Sequence, residues 1–186
     1  MSRIGRAPIE IPANVTVDIT GDNVVIVTGP LGTLRQEVDK LITVNKVSEE
    51  GKNILQLTRS NDEKEARSKH GLYRALINNM IIGVTKGYKK ELIVNGVGYK
   101  VAVQGDKIVM NIGFSHPVNF TIPVGIKATC PNPNTIVVEG FNKDLVGQTA
   151  SDIKAIKPVE PYHNYGIHYS DERVVKKEIK KAAKKK

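Results

Sequence analysis

A chain of 186 residues with 40% hydrophobic side chains can build one large compact domain or two smaller ones. Its formal charge of +9 and pI near 9.6 direct it toward polyanions, with nucleic acid, an anionic membrane surface and an acidic protein all open on charge alone. The lone cysteine, Cys130, excludes an intrachain disulfide and a multi-cysteine metal site and fits a reducing, cytoplasmic setting, and no apolar run approaches the roughly 20 residues of a membrane-spanning helix.

The N-terminus, Met-Ser-Arg-Ile-Gly-Arg, has two arginines with no apolar region behind them and is not expected to act as a signal peptide. Alternating Val15, Val17 and Ile19, then Val24 to Val27, predict two strands joined by the turn Gly21-Asp22-Asn23. Gly29-Pro30-Leu31-Gly32 turns the chain into a strand from Leu34 to Val38, and further strands are expected at Leu41 to Val47 and Ile54 to Leu57. The period then changes. Ala66, His70, Tyr73, Ile77 and Met80 fall on one helical face, Asp62, Glu63 and Glu65 suit the first turn, and Gly83 is the expected stop.

The plan then repeats. Residues 15 to 29 laid without gaps on residues 99 to 113, an offset of 84, give five identities: Val17 with Val101, Gly21 with Gly105, Asp22 with Asp106, Val25 with Val109 and Gly29 with Gly113. Turn and core positions coincide together. Ile42 corresponds to Ile126 at the same offset, Ile54 to Leu57 approaches Ile136 to Glu139 after a two-residue shortening, and a second helix is expected from Leu145 to Ile156, stopped by Pro158. The expected fold class is therefore α+β. Two similar domains arise from an internal duplication, each a small, mainly antiparallel sheet covered by a helix, at residues 1–82 and 83–172, with a basic C-terminal extension at 173–186.

Charge is unevenly placed. Residues 1–82 carry 11 basic and 10 acidic side chains, residues 83–172 carry 9 and 8, and residues 173–186 carry eight basic side chains against Glu178 alone. The tail thus supplies +7 of the +9. Its basic residues recur every three or four positions beside Val175, Ile179 and Ala182 or Ala183, a pattern suited to a helix forming on a phosphate surface, or to a solvated tail with no fixed partner.

No nucleophile, base or metal set has usable spacing, so no catalytic residue, cofactor, metal or small-molecule substrate is expected. His163 and His168 lie five apart without the acidic partner of a zinc-binding helix, and Gly96-Val97-Gly98 lacks the third glycine of a dinucleotide loop. His70 reads as a packed or surface residue, and Gly113-Phe114-Ser115-His116-Pro117 as a hairpin corner. One segment stands apart. Lys157-Pro158-Val159-Glu160-Pro161 favours an extended strap, and it leads into Tyr162, His163, Tyr165, His168 and Tyr169, directly before the tail. Flat rings beside cations suit bases and phosphates, whereas a membrane-binding tail would be expected to carry Trp, Phe or Leu anchors that this one lacks. The same tyrosines also have the shape to pack the strap onto the second domain. The RNA-contact candidates are Lys154, Lys157, Tyr162, His163, Tyr165, His168, Tyr169, Arg173, Lys176, Lys177, Lys180 and Lys181, with Arg3, Arg6 and Lys86 as weaker ones.

Several segments in order resemble the L-six family of large-subunit ribosomal proteins in its bacterial form, across nearly the whole chain. They are Ser2-Arg3-Ile4-Gly5-Arg6-Ala7-Pro8-Ile9, Gly29-Pro30-Leu31-Gly32, Gly83-Val84-Thr85-Lys86-Gly87, Val94-Asn95-Gly96-Val97-Gly98-Tyr99, Gly113 to Val118, Val146-Gly147-Gln148 and the Pro161-Tyr162 to Gly166-Ile167 strap. The resemblance implies a structural protein, not an enzyme, that binds large-subunit (23S) rRNA near the sarcin–ricin loop and stalk base and has other large-subunit proteins as neighbours. The alternative is an RNA-binding or chaperone protein outside the ribosome. The family's strap typically reads Pro-Tyr-Lys-Gly-Lys-Gly, then isoleucine and arginine; here His163, Tyr165 and His168 hold those basic positions. Histidine carries less charge than lysine at pH 7, so stacking in the strap and charge in the tail are expected to take a larger share of binding.

Overall fold

The computed structural model describes residues 3–49 and 52–178. The chain divides into two compact units, Met1–Tyr88 with Phe141–Lys143, and Lys89–Gly140 with Asp144–Lys186.

The first unit begins with a short helix α1 (Arg3–Arg6) and strand β1 (Ile9–Glu10). Strands β2 (Thr16–Thr20), β3 (Val24–Gly29) and β4 (Gly32–Glu37) form an antiparallel meander, while β5 (Ile42–Glu49) and β6 (Lys52–Arg59) pair antiparallel, with β1 added on the free side of β6. Of the valines expected to face inward, Val17, Val25 and Val101 are buried, as the two-residue side-chain period of a strand requires, whereas Val109 is only half-buried because its neighbours Ile108 and Met110 take the inward positions. At the β2–β3 turn Asn23 takes φ 59, a conformation short polar side chains tolerate. Its Nδ2 donates to the carbonyls of Val38, Asp39 and Ile42 at 3.0, 3.0 and 2.8 Å, which fastens the β4–β5 connection to this turn.

Helix α2 (Lys64–Lys86) packs Ile77, Met80, Ile81 and Val84 into the core formed by Ile9, Ile42, Leu55 and the strand valines. Truncating a fully buried residue of this kind, such as Ile77, costs about 2–5 kcal/mol. The helix runs past the expected stop at Gly83, which is buried against the backbone of Phe141, where a larger side chain has no room. Gly87, at φ 74, ends it instead, its N–H donating to the Gly83 carbonyl. The division between the units accordingly falls at Tyr88, past the expected boundary near residue 83.

The second unit repeats the plan with β7 (Tyr88–Asn95), β8 (Lys100–Gln104), β9 (Lys107–Asn111), β10 (Val118–Thr121), β11 (Ile126–Asn132), β12 (Thr135–Gly140) and α3 (Lys143–Ile156). The offset of 84 carries Thr16–Thr20 onto Lys100–Gln104 and the first residue of β5 onto the first of β11. Strands β8, β9 and β10 form a meander whose β9–β10 connection is the expected corner at Gly113 to Pro117. Helix α3 buries Val146, Thr149, Ala150 and Ile153, one face at helical spacing, and stops two residues before Pro158. The second sheet differs from its counterpart by one strand. Its order is β11-β12-β7-β13, where β13 (Gly166–Tyr169) extends it beyond β7.

Candidate nucleic-acid interface

The segment expected to be an extended strap is a closed loop. After α3, the Ile167 N–H donates to the Lys157 carbonyl at 2.8 Å, Glu160 N–H to Tyr165 at 2.8 Å, and Asn164 N–H to Glu160 at 3.0 Å, so the chain folds back on itself through Pro161-Tyr162-His163. The prolines set the loop's stems and not an extended run. Asn164 turns at φ 59, and Asn95 Nδ2 donates to its carbonyl at 3.0 Å, which ties the loop to the end of β7. Gly166 takes φ 142, and a Cβ there would lie 2.6 Å from the Pro158 carbonyl oxygen, so only glycine lets the two stems meet.

At the tip, Tyr162 is 42% exposed and His163 is exposed. The His163 and Tyr165 rings stack, with centroids 5.5 Å apart and planes inclined by 20°. His163 Nδ1 is 3.3 Å from Glu160 Oε1. The chain beyond β13 returns to this tip, where the Lys177 N–H donates to the Pro161 carbonyl at 2.8 Å. The start of the basic tail is therefore fixed beside the exposed rings.

The remaining predicted side chains separate by position. Strand β13 pairs with β7 in the register Ile167 to Val94 and Tyr169 to Leu92, which places Ile167 and Tyr169 on the buried face and His168 on the other. His168 is half-buried with its Nδ1 enclosed, so this nitrogen does not face an external phosphate. Two ammonium groups approach the Tyr169 ring, Lys154 at 4.9 Å and Lys90 at 5.2 Å from its centroid. Those cations have carboxylate partners: Lys154 Nζ is 2.6 Å from Glu172 Oε2, and Lys90 Nζ is 3.6 Å from Asp171. The hydrogen bonds from Lys154 and from the Tyr169 N–H hold the Glu172 carboxyl below its ordinary range. Lys154 and Tyr169 thus form an edge cluster that secures the end of β13, while Lys157 lies over the Phe114 ring at 4.8 Å.

The structure brings together Lys157, Tyr162, His163, Tyr165 and the backbone of Lys177 on one loop and its neighbour. Arg173, Lys176 and Lys177 are exposed on chain without regular structure, where a helix was conceivable. Lys180 and Lys181 lie outside the described residues. Arg6 and Lys86 are exposed on the first unit, and Arg3 opens α1. Sequence reasoning missed Lys90 and Phe114 as neighbours of the predicted residues. The Gly113 to Pro117 corner was legible, but its proximity to Lys157 arises only from tertiary folding. Among the described residues no group of three His, Cys, Asp or Glu side chains could hold a metal ion, and no helix is long and apolar enough to cross a membrane.

Comparison with known proteins adds an independent line. The family model described as Ribosomal protein L6 matches residues 11–87 and again 95–170, one match on each copy of the repeat. The chain is 46% identical over 185 residues to the large ribosomal subunit protein uL6 of Dictyoglomus thermophilum, covering 100% of both chains. It is 44% identical over 184 residues to that of Mesoplasma florum, covering 99% of this chain and 100% of the relative. Against that of Clostridium acetobutylicum it is 46% identical over 180 residues, covering 97% and 98%.

Proposed function

The chain belongs to the ribosomal protein L6 family, and from that premise we propose that it docks on large-subunit rRNA through the 157–165 loop of its second unit and the basic tail that starts beside it. It is a structural constituent of the large ribosomal subunit, not an enzyme, with rRNA and neighbouring ribosomal proteins as partners. The proposed address within the subunit is the neighbourhood of the sarcin–ricin loop and stalk base, carried by the family resemblance of the loop and its flanks.

The observation that carries the loop assignment is the hydrogen bond from Lys177 to Pro161. It delivers the segment that holds +7 of the chain's charge to the one place where Tyr162 and His163 stand exposed. The lysines neutralise phosphates and displace their counterions into solvent, while an unpaired base or a sugar stacks on the His163–Tyr165 pair and on Tyr162. Stacking replaces part of the charge that the family's lysines supply at His163 and Tyr165. Tail residues 173–186 act as a part separate from the two folded modules.

The double substitution Tyr162→Ala with His163→Ala tests the loop. Both side chains are exposed, so thermal unfolding is expected to stay where it is. Affinity for a large-subunit rRNA fragment should fall by about 5-fold to 100-fold, the range of one stacked base. Unchanged affinity would remove the loop from the interface.

A further inference from the structure

Carboxylates are nearly absent from a long part of the second unit. Between Glu91 and Glu139 the only acidic residue is Asp106, against Lys100, Lys107 and Lys127. Asp106 occupies the β8–β9 turn, where its carbonyl accepts from the Ile122 N–H. It therefore lies at the far end of β9 from the Gly113 to Pro117 corner, roughly 17 Å away for five strand residues. Three loops meet at the end without it. The Tyr99 ring joins two of them: a Cβ on Gly96 would come within 2.4 Å of the ring, and one on Gly113 within 3.0 Å of its hydroxyl oxygen, so both glycines close directly onto Tyr99. The third is the 157–165 loop, tied to the first by the Asn95 bond to the Asn164 carbonyl and to the second by Lys157 over the Phe114 ring. Residues 113–117 are exposed without interruption, Phe114 by 45%, and Val97 on the neighbouring loop is 82% exposed. Nothing lies within 4 Å of where a Cβ of Gly98 would stand, so the surface beside Val97 is open. Acidic groups on the adjoining elements are engaged: Glu160 faces His163 at 3.3 Å, Asp152 accepts from Gln148 at 2.7 Å and Glu172 from Lys154 at 2.6 Å. Among the described residues the partner of Lys157 is an aromatic ring and not a carboxylate.

We propose that Phe114 is a stacking platform for an unpaired RNA base, with the Lys157 ammonium set beside it for a neighbouring phosphate. Every base has a flat π-face, so a half-exposed aromatic ring accepts one without reading its sequence, and a cation at the ring serves the backbone that carries the base. The corner is fixed before binding by Tyr99 and Lys157, so little further ordering is needed. The make-up of the loops favours RNA over an apolar protein partner. Around Phe114 and Val97 stand Gly98, Gly113, Ser115 and His116, which leave room for a sugar-phosphate backbone or hydrogen-bond to it, whereas a protein interface centres on a larger apolar core. The same ties make the corner continuous with the exposed Tyr162 and His163 rings, so one strand of RNA can meet both.

The proposal rests on the rRNA-binding reading above and extends it from one loop to three; the test separates the two. Full-length protein and the variants Phe114→Ala, Phe114→Leu and Phe114→Tyr are titrated across salt against large-subunit rRNA fragments and an unrelated folded RNA, with thermal unfolding of each variant in parallel. Leucine keeps the apolar bulk without a flat face, and tyrosine keeps the face. The alanine and leucine variants are expected to lose about 5-fold to 100-fold in affinity, the range of one stacked base, with the wild-type salt slope, because stacking releases no counterions. The tyrosine variant should bind as the wild type does. If alanine lowers the unfolding temperature, the leucine variant carries the comparison. Wild-type affinity in the leucine variant overturns the proposal and leaves the corner to an apolar protein neighbour. A wild type with no preference for the rRNA sinks the rRNA reading instead, and the leucine-against-tyrosine comparison on either RNA still decides this one.

Discussion

Single residues set the local geometry of each unit. Gly166 joins the loop's stems at φ 142, with the Pro158 carbonyl where a Cβ would go. Gly166→Ala is therefore expected to destabilise the protein by about 1–3 kcal/mol, read as a lower denaturant midpoint, through overpacking and backbone strain together. An unchanged midpoint would mean the stems separate freely. Asn23 offers a cleaner partition. Asn23→Ala removes three hydrogen bonds to carbonyls and also strains φ, with an expected loss of about 2–3 kcal/mol, whereas Asn23→Gly relieves the strain and should recover roughly 1 kcal/mol of it. Equal losses in the two variants would show that the hydrogen bonds carry the whole effect.

At the scale of elements, α2 is fastened to the β4–β5 connection by Lys69, whose ammonium is 2.7 Å from Asp39 and also reaches Glu65. The Lys69 hydrogen bond, then the Leu41 N–H, hold the Asp39 carboxyl below its ordinary range. A depressed folded value means stability that is present above the unfolded pKa, near 4, and is lost as pH falls through the folded value. Asp39→Asn should flatten the acid limb of a stability-versus-pH profile and leave its shape between pH 5 and 8 unaltered. A profile with the wild-type acid limb would contradict this. Lys69 is raised for the same reason, chiefly by its Asp39 hydrogen bond, so its contribution is present at neutral pH and is lost only as pH rises through its elevated folded value.

Legibility in the sequence follows the range of the interactions. Strands β2 and β3, the long helix face and the repeat were readable because valine alternation, helical spacing and turn residues are local signals. The two residues of β1 and four of α1 are too short for any period to emerge. Strand β13 was hidden for another reason: its pairing partner, β7, lies some 70 positions earlier, and the prolines before it suggested an extended strap. The candidate site was legible in residue type and in neighbourhood, since Tyr162, His163 and Tyr165 do stand together. It was not legible which cations have carboxylate partners, because Lys154 meets Glu172 and Lys90 meets Asp171 only when β13 closes on the sheet.

For the whole molecule, duplication produced two copies of one sheet-and-helix plan that have diverged in their surfaces. The first copy holds all the chain's arginines but Arg173, while the second adds a strand, a closed aromatic loop and the lysine tail. Both copies keep a buried valine at Val17 and Val101 and a glycine in the turn that follows, but the facing strand is shifted by one residue, so Val25 is buried in the first copy while Val109 is half-buried and Ile108 and Met110 fill the core in the second. The central claim is that the folded modules choose the RNA and the tail supplies charge. Its most direct test is binding of the full chain and of the chain without residues 173–186 to large-subunit rRNA fragments and to an unrelated folded RNA, across salt. The account predicts that the truncated chain keeps its preference for the rRNA while its salt slope becomes shallower. Equal binding to both RNAs that vanishes with the tail would contradict it.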